Sequence, residues 1–264
     1  MSQPRILMCA PDYFDILYEI NPWMHKEIKV GHETATLQWN QLKKTIEHCG
    51  AQVELVDCVE GWPDMVFTAN AALLYGNKCF LANFKYAERQ GERAYFKTWF
   101  DQHDYEIVNP EITFDFEGAG DALFAGKILF AAHGFRSEAR IYDEIKAMGD
   151  FTVLHCKLVD AYFYHIDTCF CPLNDQHAIW WPGAFDEDSQ KRMKATGVEL
   201  HAVPEADAKH FACNAVVIDE QVIIPSNCPG TRKILEDLGF TVHDVPMTEY
   251  LKSGGACKCL TLRL

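Results

Sequence analysis

"ILMCAP", residues 6–11, reads as a short buried strand that opens the chain with no repeat unit before it. Four stretches like it recur further on: "CFLANF" (79–84), "ILFAAH" (128–133), "AIWWPG" (178–183) and "VIIPSN" (222–227). Around them runs a fixed order of helix, stop and strand. Trp39, Leu42 and Ile46 mark an amphipathic helix that ends near Gly50, and "AQVELVD" then alternates as a strand does. The same order recurs at Tyr95, Trp99 and His103 before "YEIVNP", and at Ile141, Ile145, Met148 and Gly149 before "FTVLHCKL". It returns at Gly197 before "VELHAVP", and at Ile234, Leu235, Leu238 and Gly239 before "FTVHDVP".

A polar motif follows each of these strands: "WPDMVFTAN", "FEGAGDAL", "YFYHIDTCF", "HFACNAVVI" and "SGGACKCLTL". The first four motifs are followed by one of the short apolar strands, whereas the fifth has none after it. The strand at residues 6–11 is therefore expected to complete the C-terminal copy. That closes an α/β ring of five blades and leaves no sheet edge exposed at the seam. A propeller of all-strand blades has a similar period but no helix in each unit. In a pseudo-five-fold ring the five polar motifs occupy equivalent positions and converge on the axis. Residues 1–264 are expected to form a single catalytic domain.

The composition agrees with a soluble globular protein: 264 residues, 48% hydrophobic and 23% charged. A formal charge of −14 argues against nucleic acid, whose binding rests on clustered Lys and Arg, and is compatible with a small cationic ligand. No apolar run reaches the ~20 residues of a bilayer span, and the N-terminus lacks the pattern of a secretory signal. A cytoplasmic protein with reduced thiols is expected, with no membrane partner. The eleven cysteines are an odd number in a long chain.

The motifs gather a thiol, an imidazole and carboxylates. "YHIDTCFC" read as a strand puts His165, Asp167, Cys169 and Cys171 on one face, and Cys257 and Cys259 share a face in the same way. Asp64, Asn70, Glu117 and Asp121 come from the first two motifs. Zinc is disfavoured because the chain contains no CxxC pair, so a metal is not expected. Most of the cysteines read as small buried hydrophobes. Cys259 alone reads as a nucleophile, through the His and carboxylates expected to converge on it. The segment "CAPDYFDILYEINPWMHK" (9–26) reads as a substrate cover with Asn21 touching ligand, or as a segment whose Tyr18 and Trp23 simply pack.

"PDMVFTAN", "FEGAGDAL", "YHIDTCF" and "GGACKCLTL" together resemble the guanidine-modifying superfamily over almost the whole chain. Its members include arginine deiminases, dimethylarginine dimethylaminohydrolases, arginine dihydrolases and amidinotransferases, and its fold is the five-bladed α/β propeller called a pentein. The resemblance implies Cys259 as nucleophile and His165 as general acid and base. It also implies Asp64 and Asp167 as carboxylates gripping a guanidinium, and Arg89 of "ERQGE" and Arg136 of "GFRSEAR" as arginines holding the substrate α-carboxylate. Glu117 falls on the family glutamate, although "FEGAGD" is one residue longer than the "EGGD" of deiminases. Asn70 stands in "FTAN" where deiminases carry Asp in "FTRD", and this is similar to the arginine dihydrolase branch.

The resemblance thus implies cysteine-dependent hydrolysis of a small arginine-like guanidino substrate through a covalent thiouronium, with no cofactor. The product is ornithine with ammonia and carbon dioxide, or citrulline if the reaction stops after one round. A methylarginine hydrolase, an amidinotransferase and a non-catalytic binding protein on the same ring are the alternatives. A homo-oligomer stays open.

Overall fold

The computed structural model describes residues 3–111 and 113–264. The chain forms two compact units, residues 1–68 with 203–264, and residues 69–202.

The first unit carries two three-stranded sheets. In one, β1 (Arg5–Cys9) lies between β2 (Gln52–Val56), to which it is parallel, and β15 (Leu262–Arg263), to which it is antiparallel. Ile6 sits opposite Arg263, and Leu7 opposite Leu262. The N-terminal strand thus pairs with the C-terminal copy, as the count of repeats requires. The second sheet orders β12 (Val216–Ile218), β13 (Gln221–Pro225) and β14 (Thr241–Val245).

The other unit carries three more sheets. β3 (Ala72–Tyr75), β4 (Lys78–Leu81) and β5 (Glu106–Ile107) form the first. β6 (Ala122–Ala125), β7 (Ile128–His133) and β8 (Thr152–Lys157) form the second, and β9 (Phe170–Pro172), β10 (His177–Trp180) and β11 (Glu199–Ala202) the third. In all five sheets the middle strand is antiparallel to one neighbour and parallel to the other. A helix links each parallel pair: His32–His48, Glu92–Gln102, Ile141–Ile145, Glu187–Lys194 and Pro229–Asp237.

The antiparallel strand of each sheet is an addition to the expected repeat. It has only two to four residues, directly follows the polar motif, and is largely buried, so it lacks the alternation that announces a strand. β5 is shorter than "YEIVNP" suggests because the Asn109 side chain takes over the ladder. Its Oδ1 accepts from the Leu81 N–H at 2.8 Å, and its Nδ2 donates to the Leu81 carbonyl at 2.9 Å.

The helix stops differ in kind. Gly50 takes a left-handed φ of +97°, which suits glycine, and the helix before it buries Ala35, Trp39, Leu42 and Ile46 at the 3.6-residue period. Gly149 is extended, at φ −176°. Its glycine is required by space, since a Cβ there would stand 2.1 Å from the Tyr75 ring. Among the described residues no disulfide joins any of the eleven cysteines, and no helix is long and apolar enough to cross a membrane.

Candidate active site

The expected site residues fall in both units. Cys259, Asp64 and Asn21 belong to the first, and His165, Asp167, Asn70, Arg89, Glu117, Asp121 and Arg136 to the second. All of these except Asn21 are nearly or fully buried.

In the first unit, Cys259 lies in a turn just before β15 rather than in a strand. Leu260 N–H donates to the Ala256 carbonyl and Thr261 N–H to the Lys258 carbonyl. Cys257 and Cys259 therefore do not share a strand face: the chain turns tightly here and pairs only at Leu262. Cys257 is fully buried, and burial pushes its thiol well up, as befits a packed residue.

The Asn214 side chain contacts both the thiol of Cys259 and the backbone of its turn. Asn214 Nδ2 donates to Cys259 Sγ at 3.0 Å, while its Oδ1 accepts the backbone N–H groups of Lys258 at 2.9 Å and Cys259 at 3.1 Å. The amide thus fixes the turn and supplies a neutral donor to the sulfur. Asn214 belongs to the motif "HFACNAVVI", where nothing in the local pattern marks it as a partner of the thiol. A signal across repeats was present: Asn214 precedes β12 as Asn70 precedes β3, each in an Asn-Ala pair leading into an apolar strand.

Asp64 accepts a hydrogen bond from the Tyr18 hydroxyl at 2.9 Å, so Tyr18 orients a carboxylate. Asn21 donates to the Ser253 carbonyl at 3.1 Å and accepts from the backbone N–H groups of Trp23 and Met24. Its amide ties the early segment to the turn that leads toward Cys259.

In the second unit, His165 precedes a 3-10 turn over Ile166–Thr168, where the sequence suggested a strand. Thr168 and Cys169 donate their N–H groups to the carbonyls of His165 and Ile166, so alternation begins only at Phe170. The face expected to unite His165, Asp167, Cys169 and Cys171 is not formed by strand geometry.

A buried ionic network takes its place. His165 Nε2 lies 2.7 Å from Glu117 Oε2, and the same oxygen accepts from Arg136 Nη1 at 2.8 Å. The Arg136 guanidinium is stacked between Tyr86 and Tyr164, 4.8 and 4.6 Å from the ring centroids. Arg89 forks onto Glu92 with two bonds of 2.8 Å and gives a third donor to Asn70 Oδ1 at 3.1 Å. Asn70 Nδ2 in turn donates to the Glu117 carbonyl at 3.1 Å. Burial alone would raise the Glu117 carboxyl, but Arg136, His165 and Arg89 outweigh it and hold it well below the usual carboxylate range.

The glycines of "FEGAGD" make this contact between segments fit. Gly118 has φ +61°, and a Cβ on it would stand 2.8 Å from the Asn70 backbone. A Cβ on Gly120 would lie 2.2 Å from Asn70 Nδ2. The motif is thus a close backbone approach that holds the Asn70 amide in one orientation.

Asp121 behaves differently from Glu117. Its Oδ2 accepts from Ser137 N–H at 3.1 Å and Ser137 Oγ at 2.6 Å, whereas its buried Oδ1 has no hydrogen-bond partner among the described residues. Burial pushes its carboxyl up to about 6, with the nearby Glu117 charge adding to this and His165 and Ser137 opposing it. Glu92 and Ser137 are also partners that sequence reading missed.

A buried thiol on an amide donor, and a buried imidazole on a carboxylate fixed by arginine, are the parts that nucleophilic catalysis with proton transfer needs. Residues 18–264 match the family model described as N,N dimethylarginine dimethylhydrolase, eukaryotic. The chain belongs to that family.

This dimethylarginine dimethylhydrolase family member is 45% identical to the bifunctional arginine dihydrolase/ornithine cyclodeaminase ArgZ of Synechocystis sp., over 98% of its own length and 37% of that protein's. It thus spans little more than a third of that cyanobacterial relative. It is 35% identical to the N(G),N(G)-dimethylarginine dimethylaminohydrolase of Mycobacterium tuberculosis, over 98% of its length and 85% of that enzyme's. Two solved variants of the ArgZ N-terminal domain superpose with a TM-score of 0.94 at 44% identity, covering 98% of this chain and 97% of theirs. One is a cysteine-to-serine variant bound to substrate, and the other an asparagine-to-serine variant bound covalently to a reaction intermediate.

Proposed function

We propose that this chain is an arginine dihydrolase: arginine and two waters give ornithine, two ammonia and carbon dioxide. The five sheets are the blades of a closed pentein ring, and residues 1–264 are one catalytic domain. The pairing of β1 with β15 supports the ring closure.

In this reading the Cys259 thiolate adds to the central guanidinium carbon, and His165 protonates the departing nitrogen, leaving a thiouronium on sulfur. His165 then takes a proton from the attacking water, and the tetrahedral adduct collapses to citrulline and free thiol. A second round on the ureido group releases ammonia and leaves a carbamoyl group on sulfur. Water then cleaves this S-carbamoyl adduct, in which the carbon still carries the ornithine nitrogen, to free thiol, ornithine and carbon dioxide. Asp64, Asp167 and Asp121 are the carboxylates proposed to hold the guanidinium plane, with Asn21, Arg89 and Arg136 as further binding or positioning residues. The Glu117 carboxylate orients His165 through their 2.7 Å contact.

The observation that carries the choice of two rounds is Asn70. A neutral amide, oriented by Arg89 and Glu117, stands where a carboxylate would add another negative charge against a neutral ureido group. An amide both donates and accepts. The covalent intermediate and substrate complex of the ArgZ variants support the same reading.

Incubation with arginine labelled at the guanidino carbon tests it. Labelled carbon dioxide and two ammonia per ornithine are expected, and accumulation of citrulline alone would refute two rounds. The family model favours a second reading, hydrolysis of methylated arginines. Release of methylamines in preference to ammonia in a mixed-substrate assay would select it.

A further inference from the structure

Three side chains outside the expected site converge at the start of β10 and along β11 in the β9–β10–β11 sheet. His177 opens β10 and faces Glu199 across the parallel pair, and His201 lies two residues further along β11 on the same face. His177 Nδ1 and His201 Nε2 are 3.2 Å apart. The Glu199 carboxylate lies 3.6 Å from the first and 3.9 Å from the second. The hairpin turn is fixed by Asn174, whose Oδ1 accepts the N–H groups of Gln176 and His177.

The geometry points to a binding site for a zinc-class divalent transition-metal ion, held by His177, Glu199 and His201. An ion with ligand distances of about 2.0–2.2 Å keeps its tetrahedral neighbours about 3.3–3.6 Å apart; here the two ring nitrogens are 3.2 Å apart, Glu199 Oε2 is 3.6 Å from His177 and Glu199 Oε1 is 3.9 Å from His201, and one donor atom from each residue lies within 4.8 Å of the other two. Two imidazoles with one carboxylate select zinc, copper or nickel over magnesium or calcium. The fourth position falls to water, since the Glu199 side chain is 68% exposed.

A plain hydrogen bond between the two rings accounts for less. It leaves the Glu199 carboxylate without a hydrogen bond among the described residues, although that group stands beside both rings. Other sheets supply the comparison. In β13–β14 the same diagonal is Gln221 and His243, joined by one hydrogen bond of 2.7 Å, with Thr241 at the place of Glu199. In β1–β2 it is Arg5 and Glu54, an ion pair. Each of those diagonals is spanned by a direct bond between its two members, whereas in this sheet a third group, Glu199, stands beside both rings. An ion there would tie the edge strand β11 to the middle strand.

The test uses the full chain stripped with chelator, then titrated with Co²⁺ and with Zn²⁺. It compares wild type, His177→Gln, His201→Gln and Cys259→Ser. Gln221 occupies the equivalent place in β13, so His177→Gln is a fold-compatible change. Expected are one equivalent of ion and tetrahedral Co²⁺ absorption in wild type and in Cys259→Ser. Both histidine variants should bind at least about tenfold more weakly, and zinc should raise Tm in wild type but not in His201→Gln. Retention of the equivalent in both histidine variants, or its loss only in Cys259→Ser, would overturn the proposal. The second result would place the ion at the thiol.

Discussion

Cys259 and His165 are both buried, yet they are held in opposite ways. The thiol accepts from a neutral amide whose other end secures the backbone. The imidazole rests on Glu117, which is clamped by Arg136 and linked through its own carbonyl and Asn70 to the Arg89–Glu92 pair. The difference teaches a division of labour. In the proposed chemistry the nucleophile rests on a neutral donor, whereas the proton carrier sits in an ionic frame that fixes its position beforehand. Breaking the two arrangements should therefore have different signatures.

Replacement of the sulfur gives the largest effect. Cys259→Ser should lower kcat by about 10⁴-fold or more, as loss of a nucleophile does, with little change in Tm because the Asn214 amide can bond a hydroxyl. Quenched wild-type reactions should carry a covalent adduct by intact-mass spectrometry, and the variant none. Full turnover in the variant would remove Cys259 from the chemistry.

Glu117→Gln comes next, and unlike the first it should damage both activity and stability. The amide keeps the shape but leaves Arg136 without its buried counter-charge. Uncompensated buried charge costs about 3–5 kcal/mol, and mispositioned acid–base catalysis costs about 10²–10⁴ in rate. Chemical denaturation and kcat together check this. The pH response follows from the sign of the shift. The folded carboxyl binds its proton less tightly than the unfolded one, so its stabilisation is present above the ordinary carboxylate range and is lost on acidification. The variant's stability should therefore fall less steeply in acid than that of wild type.

Asn214→Ala tests the neutral side of the comparison. It removes one hydrogen bond to sulfur and the acceptor for two backbone N–H groups, so kcat should fall by about 10–100-fold, the equivalent of one to three kcal/mol. The rate of thiol alkylation should change in parallel, since the turn carrying Cys259 is loosened. An unchanged alkylation rate would show that these contacts are dispensable.

These residues also mark how far the sequence could be read. The helix and strand repeat was visible because amphipathic periods and glycine stops are local, and the early strand at 6–11 announced the pairing of β1 with β15. His165 and Cys259 stood out through their motifs. Asn214 did not, because its role depends on a sulfur 45 residues away. The pairing of Arg136 with Glu117 was equally hidden, since 19 residues and two strands separate them. The strand reading of "YHIDTCFC" failed for a different reason: a single 3-10 turn over Ile166–Thr168 consumes the residues that seemed to alternate. Short-range pattern locates such segments without distinguishing a two-residue period from a turn.

Asp121→Asn sharpens the comparison with the smallest effect, and its two readouts should move apart. Asp121 carries a raised carboxyl, the reverse of Glu117 in the same unit, because burial dominates and, among the described residues, Ser137 alone serves its Oδ2. A folded value of about 6 against an ordinary 3.8 means that the folded state binds the extra proton. Its favourable contribution is full below the ordinary value and is lost as pH rises through about 6. By pH 7.5 this ionisable group should cost roughly 3 kcal/mol relative to acid. An amide escapes that cost, since its oxygen can accept both Ser137 donors, so the variant should be more stable than wild type at pH 7.5 by a large part of this amount. The advantage should vanish near pH 4. If the buried Oδ1 is kept open for a guanidinium, KM for arginine should rise by about tenfold or more while stability increases. A stabilised variant with unchanged KM would instead make Asp121 a tolerated strain with no ligand to receive.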